Sequence, residues 1–171
     1  MARKTEDNTN RAQVLKNVIA NKPWLYVILQ AIYSYRGLSI EELREIVGLA
    51  KNVVERGLWW LNKYGLIEGR NGKFSLKPDY IKAFEEFLFK QCNLKNMHII
   101  VLDEVYIVIY IKDRKVHYWS LPRKLYEEIL QYEKLSGGEY SVSEISHILN
   151  IDIGTAKKIL KLRALLKKCR T

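Results

Sequence analysis

Apolar positions along this chain follow two rhythms, and the rhythm changes near residue 97. Up to there the spacing is helical. Residues 12–20 suit a short leading helix, and Trp24 to Tyr35 is apolar almost all round, which predicts a largely buried helix. Pro23 stands where a first helical turn accepts it, and Gly37 is the stop. Ser39 to Val47 is a second helix and Asn52 to Tyr64 a third, with Val54, Leu58 and Leu61 at core spacing. Pro78 opens a further helix through Phe84, Phe87 and Leu88. From Met97 to Leu121 three runs rich in β-branched and aromatic residues predict a three-stranded antiparallel meander. Both faces of its middle strand, Val105 to Ile111, are apolar, so both need cover, one of them from a second subunit. Helical spacing then returns over Leu125–Leu135, Ser141–Leu149 and Ile153–Lys168.

The segment Leu38 to Leu49 recurs in outline 102 positions later, as Tyr140 to Ile151. Ser39 matches Ser141, Glu42 matches Glu144, Leu43 matches Ile145, and Ile46 matches Ile148. Each copy opens with a Ser-x-x-Glu capping box, which satisfies free amides at a helix start. Each closes on Gly48 or Asn150, the residue types that best tolerate a left-handed backbone. A helix follows each copy after a short turn, and at the same offset Trp24, Val27 and Ile28 align with Tyr126, Ile129 and Leu130. This is a helix-turn-helix written twice.

After the third helix, Asn71-Gly72 sits between two short extended runs, a strong signal for a two-residue hairpin because both positions tolerate positive φ. With Leu38, Glu42, Leu43, Gly48, Val54, Leu58, Leu61 and Gly65 in place, residues 24–77 resemble the winged helix-turn-helix superfamily of regulators. The resemblance implies a DNA-binding fold and does not separate one member family from another. The second unit departs from the pattern, since its strands precede its helices. The expected fold is thus α+β and mostly α. It has two winged-helix-like units, the first with a C-terminal β-hairpin wing and the second preceded by the meander. The expected organisation is a disordered polar tail over 1–11, a winged helix-turn-helix over 12–77, a linker helix over 78–95, and meander plus second helix-turn-helix over 96–171.

Composition narrows the partners. Net charge is +10 over 171 residues, shared evenly between the halves, which favours a polyanion. No apolar run approaches the roughly 18 residues of a membrane span, and the polar N-terminus does not read as a secretory signal. Cys92 and Cys169 show no ligand spacing and read as free thiols of an intracellular chain. His98, His117 and His147 are isolated, so no metal site is expected. No phosphate-binding glycine loop or nucleophile elbow is present, and Asp103-Glu104 followed by Lys112 has the wrong spacing for a nuclease centre. No enzyme activity, cofactor or small-molecule ligand is expected. Abundant Lys, Ile, Glu and Tyr with scarce Gln lean towards a hot-growing organism.

The third helix of each unit is the one that would enter a major groove. In the first, Asn52 and Arg56 suit adenine and guanine edges, and Lys51 and Lys63 suit phosphates. Glu55 on the same face would repel phosphate. Arg70 and Lys73 flank the hairpin tip, as a backbone contact or as an ordinary charged turn. The last helix carries Thr155, Lys157, Lys158, Lys161, Arg163, Lys167, Lys168 and Arg170, with no acid after Asp152. Lys157, Lys161 and Lys168 fall within about 40° on a helix turning 100° per residue. Such a stripe suits a phosphate track, a solvated helix end that complements its dipole, or an anionic membrane surface. Adjacent Trp59 and Trp60 diverge by about 100°, so one is expected in the core and the other exposed or against a partner.

The functional expectation is a sequence-specific or semi-specific double-stranded DNA-binding regulator, cytoplasmic and nucleoid-associated. It would dimerise through the linker helix or the meander. The alternative is a tandem winged-helix adaptor that binds proteins in a chromosome-associated complex.

Overall fold

The computed structural model describes the backbone of residues 2–169 and the side chains of 7–169. Among these the chain is α+β, with eight helices and two antiparallel sheets of two and four strands. Residues 1–11, expected as a disordered tail, are instead helical from Ala2, within α1 (Ala2–Asn21). Leu15, Val18 and Ile19 bury one side of α1. Lys16 reaches Asp103 at 3.2 Å and Arg11 reaches Asp79 at 3.6 Å. Docking therefore orders a polar segment that carries no helix signal of its own.

α2 (Leu25–Tyr35) buries Leu25, Tyr26, Val27, Ile28, Leu29, Ala31 and Ile32, as its all-round apolarity requires. α3 (Ile40–Val47) begins with the expected capping box: Ser39 Oγ accepts from the Glu42 N–H, and Glu42 accepts from the Ser39 N–H. It ends on Gly48 at φ 68°. α4 (Lys51–Lys63) crosses α2 closely at Gly57, where an added Cβ would stand 2.2 Å from Ile28 Cδ1. β1 (Ile67–Arg70) and β2 (Lys73–Leu76) pair through a two-residue turn with Asn71 and Gly72 both at positive φ. Leu38 bridges Phe74 through two backbone hydrogen bonds of 3.0 and 2.8 Å, so the approach to α3 extends the hairpin. α5 (Pro78–Phe89) packs along α1 and turns Ala83, Phe84 and Phe87 into the core. That apolar stripe is internal, while Ile81 and Phe89 of the same helix stay exposed.

The second sheet has four strands, not three. β3 (Cys92–Leu94) precedes β4 (Met97–Val101), β5 (Val105–Lys112) and β6 (Lys115–Pro122), in that spatial order. A three-residue strand is too short to leave a periodic signal. Strand alternation sends Ile100, Leu102, Ile107 and Ile109 into the core of the first helical unit. Ile99, Tyr106, Val108 and Leu121 point into a second core with the C-terminal helices. The sheet is the shared middle layer. Both faces are covered within one chain, so no second subunit is needed over them. Asn93 Oδ1 pins this junction, accepting from the Tyr26 hydroxyl at 2.8 Å and lying 2.8 Å from His98 Nδ1. Burial pushes the His98 pKa down to about 4 and so keeps the ring neutral.

α6 (Arg123–Ser136), α7 (Val142–Leu149) and α8 (Ile153–Cys169) follow. The second capping box, Ser141 with Glu144, forms, and Asn150 ends α7 at φ 50°. The repeat holds less well in α6: Leu130 is exposed where its counterpart Ile28 is buried, because α2 is enclosed over most of its length and α6 is not. Arg163 on α8 is buried and makes 2.6 and 2.7 Å bonds to both Glu133 oxygens on α6. Cys92 and Cys169, expected as free thiols, form a disulfide with Cα atoms 5.8 Å apart. Packing α8 on the sheet brings its last turn to β3, a proximity invisible across 77 positions of sequence.

Candidate nucleic-acid interface

The outer face of α4 is set by its core face. Val54, Gly57, Leu58 and Leu61 are buried, so the opposite side carries Asn52, Arg56, Trp59 and Lys63. At 100° per residue these four lie within about 60° of one another. They form one crest. Asn52 is exposed near the start of the helix. The Arg56 guanidinium lies 5.2 Å from the Trp24 ring centroid, which orients it without neutralising it.

Neither tryptophan is buried, contrary to expectation. Trp60 is half-buried against the first core and stacks on Tyr64 with centroids 5.6 Å apart. Trp59 is 56% exposed and meets Trp60 edge-on. Lys63 Nζ lies 4.8 Å from the Trp59 ring and 5.1 Å from Trp60, and Lys22 covers Trp60 at 4.1 Å. Helix divergence is satisfied by a surface aromatic–cation stack, not by one ring filling the core. Periodicity already placed Trp59 about 160° from Gly57 and Leu61, and that signal could have found it.

The other first-unit cations expected at the interface, Lys51, Arg70 and Lys73, are exposed but partnered. Lys51 pairs with Glu55 at 3.8 Å, Arg70 with Glu68 at 3.4 Å, and Lys73 with Glu42 at 3.6 Å. The Glu42 carboxyl is held below its ordinary range, chiefly by the Ser39 backbone N–H, with Lys73 adding to it. Exposed pairs of this kind contribute about 0–1 kcal/mol, so a phosphate can displace the carboxylate at little cost. Between α4 and the hairpin runs a shallow groove lined by Glu55, Trp59, Asn62, Gly69 and Phe74.

Compared with protein-family models, with curated proteins and with solved structures, the chain has no match.

On α8 the structure divides the basic residues. Ile159 and Leu162 are buried, and Lys157, Lys158, Lys161 and Lys168 are exposed on the other side. Arg163 and Lys167 are not part of that face, since they pair with Glu133 and Glu139. Arg170 lies outside the described residues. Thr155 is engaged at the start of its own helix. Its N–H and hydroxyl donate to Asp152 at 2.9 and 2.6 Å, capping the start of α8. Those Thr155 bonds hold the Asp152 carboxyl below its usual range. Lys161 Nζ stands 5.9 Å from both the Tyr110 and Trp119 rings, so this helix carries its cation towards the sheet. A cleft of about 860 Å³ is lined by Asp103, Glu104, Glu127 and Glu128 with Arg123 and Lys124 among them, a net acidic rim unsuited to a polyanion.

Proposed function

We propose that this chain is an intracellular double-stranded DNA-binding protein acting as a regulator, built from two winged-helix-like units. Asn52 and Arg56 meet base edges. Lys51, Lys63, Arg70 and Lys73 meet the backbone around α4, and Lys157, Lys158, Lys161 and Lys168 meet it along α8. The observation that carries this reading is the α4 crest: two base-reading side chain types and a lysine on one exposed stripe, with a capped helix behind and a β-hairpin beside it. Net charge of +10 supports the same class of partner.

The test is fluorescence anisotropy of a labelled random-sequence duplex titrated with protein between 50 and 200 mM salt, on the order of the range where counterion release is read. The expected result is a complex whose affinity falls steeply with salt. No complex at the lowest salt, even at micromolar protein, would overturn the reading.

A second reading, a protein-binding adaptor, is favoured by one observation. Trp59 stands exposed at the edge of the groove containing Phe74, with Glu55 beside it. An exposed tryptophan of this kind is a frequent anchor of protein interfaces. An adaptor gives no complex with duplex under the same conditions.

A further inference from the structure

The β5–β6 turn is an element that the duplex-binding reading above does not use. We propose that its tip is a second wing, in which Lys112 and Lys115 grip the phosphate backbone between α4 and α8, so that both units bear on one duplex. The proposal rests on that reading.

Four observations carry it. First, the tip is fixed beside the start of α4. The Ala50 N–H, at the α4 N-cap, donates to the Arg114 carbonyl at 3.1 Å. Asp113 and Arg114 both take positive φ, which makes the turn tight. Second, Lys112 and Lys115 are directly opposed across the ladder. Like charges in that position cost stability, and an anionic partner would relieve that cost. Third, among the described residues neither lysine makes an ion pair, although both are exposed. The cations of the first unit's own face are mostly held by a carboxylate or an aromatic ring. Arg114 is left out of the grip because its side chain shares a cleft with Glu41 and Glu45.

Fourth, the face is continuous with α8. Strand alternation puts Lys112 and Lys115 on the side of Tyr110 and His117, whose rings stack at 5.3 Å. Lys161 of α8 hangs over Tyr110 on that same side. One two-residue step along the strand is roughly 7 Å, about two phosphates along one strand of duplex at 3.4 Å each. Cations and aromatic rings thus alternate from the hairpin tip to α8, and the backbone of the same tip is bonded to the start of α4.

The experiment compares duplex binding by the wild-type chain, by a Lys112→Ala/Lys115→Ala variant, and by a Lys90→Ala/Lys134→Ala variant with the same loss of charge just past α5 and on α6. Far-UV circular dichroism checks that all three are folded. Loss of two phosphate contacts lowers the slope of log K against log salt by about 1.8. The expected result is that decrease for the tip variant, with the control slope unchanged. A tip variant with the wild-type slope overturns the second wing and leaves the duplex reading in place. An equal decrease in both variants also overturns it, because net charge then explains the effect. A wild-type chain that binds no duplex overturns both.

Discussion

The Cys92–Cys169 disulfide closes a loop across a sequence separation of 77, so removing it releases unfolded-state entropy that is otherwise withheld. For a loop of that length, closure entropy corresponds to about 4.5 kcal/mol at 25 °C, and measured cross-links usually reach about 2–4. The perturbation is Cys92→Ser with Cys169→Ser. Leu165, which holds the last turns of α8 in the second core, is unchanged by it, so native packing is preserved and the effect is read as stability. The assay is guanidinium unfolding followed by circular dichroism, with and without reductant. The air-oxidised wild type should unfold at a clearly higher midpoint than the variant, and its Tm should be higher by on the order of 10 °C. Reductant should bring the wild type down to the variant and leave the variant unmoved. Coincident midpoints for all four samples would refute the reasoning. So would two free thiols titrated in the oxidised chain after unfolding.

Two further outcomes are expected away from the disulfide. Glu133→Ala should cost about 3–5 kcal/mol in urea unfolding, because it leaves the buried Arg163 guanidinium only the exposed Glu139 carboxylate at 3.7 Å and removes the acceptor of the Tyr140 N–H. A loss under about 1 kcal/mol would show that this pair does not hold α6 to α8. Stability should also fall with pH through His98. Its folded pKa of about 4 lies below the ordinary 6.5, so the unfolded chain binds the extra proton. The contribution is full above pH 6.5 and is lost as pH drops towards 4, by about 3 kcal/mol. A His98→Gln variant with the same pH slope as wild type over that window would sink the assignment.

Much of the local architecture was legible from residue order alone, for a physical reason. Capping boxes at Ser39 and Ser141, left-handed stops at Gly48 and Asn150, and the Asn71-Gly72 turn are interactions between residues four or fewer apart. The core spacing of Val54, Leu58 and Leu61 likewise announces which side of α4 faces outward. The cations of α8 were only partly legible. Composition counts Arg163 and Lys167 alike with Lys157, yet only a fold that places Glu133 and Glu139 nearby decides which are neutralised.

What residue order determined is therefore the set of helices, the two hairpins and the faces they expose. Tertiary structure alone decided that residues 2–11 are not a loose tail, that β3 forms, and that one sheet serves two cores. It also decided that Cys92 meets Cys169 and that the β5–β6 tip lies against the start of α4. Each of these joins groups dozens of positions apart, where no periodicity or cap reaches and only packing brings them together.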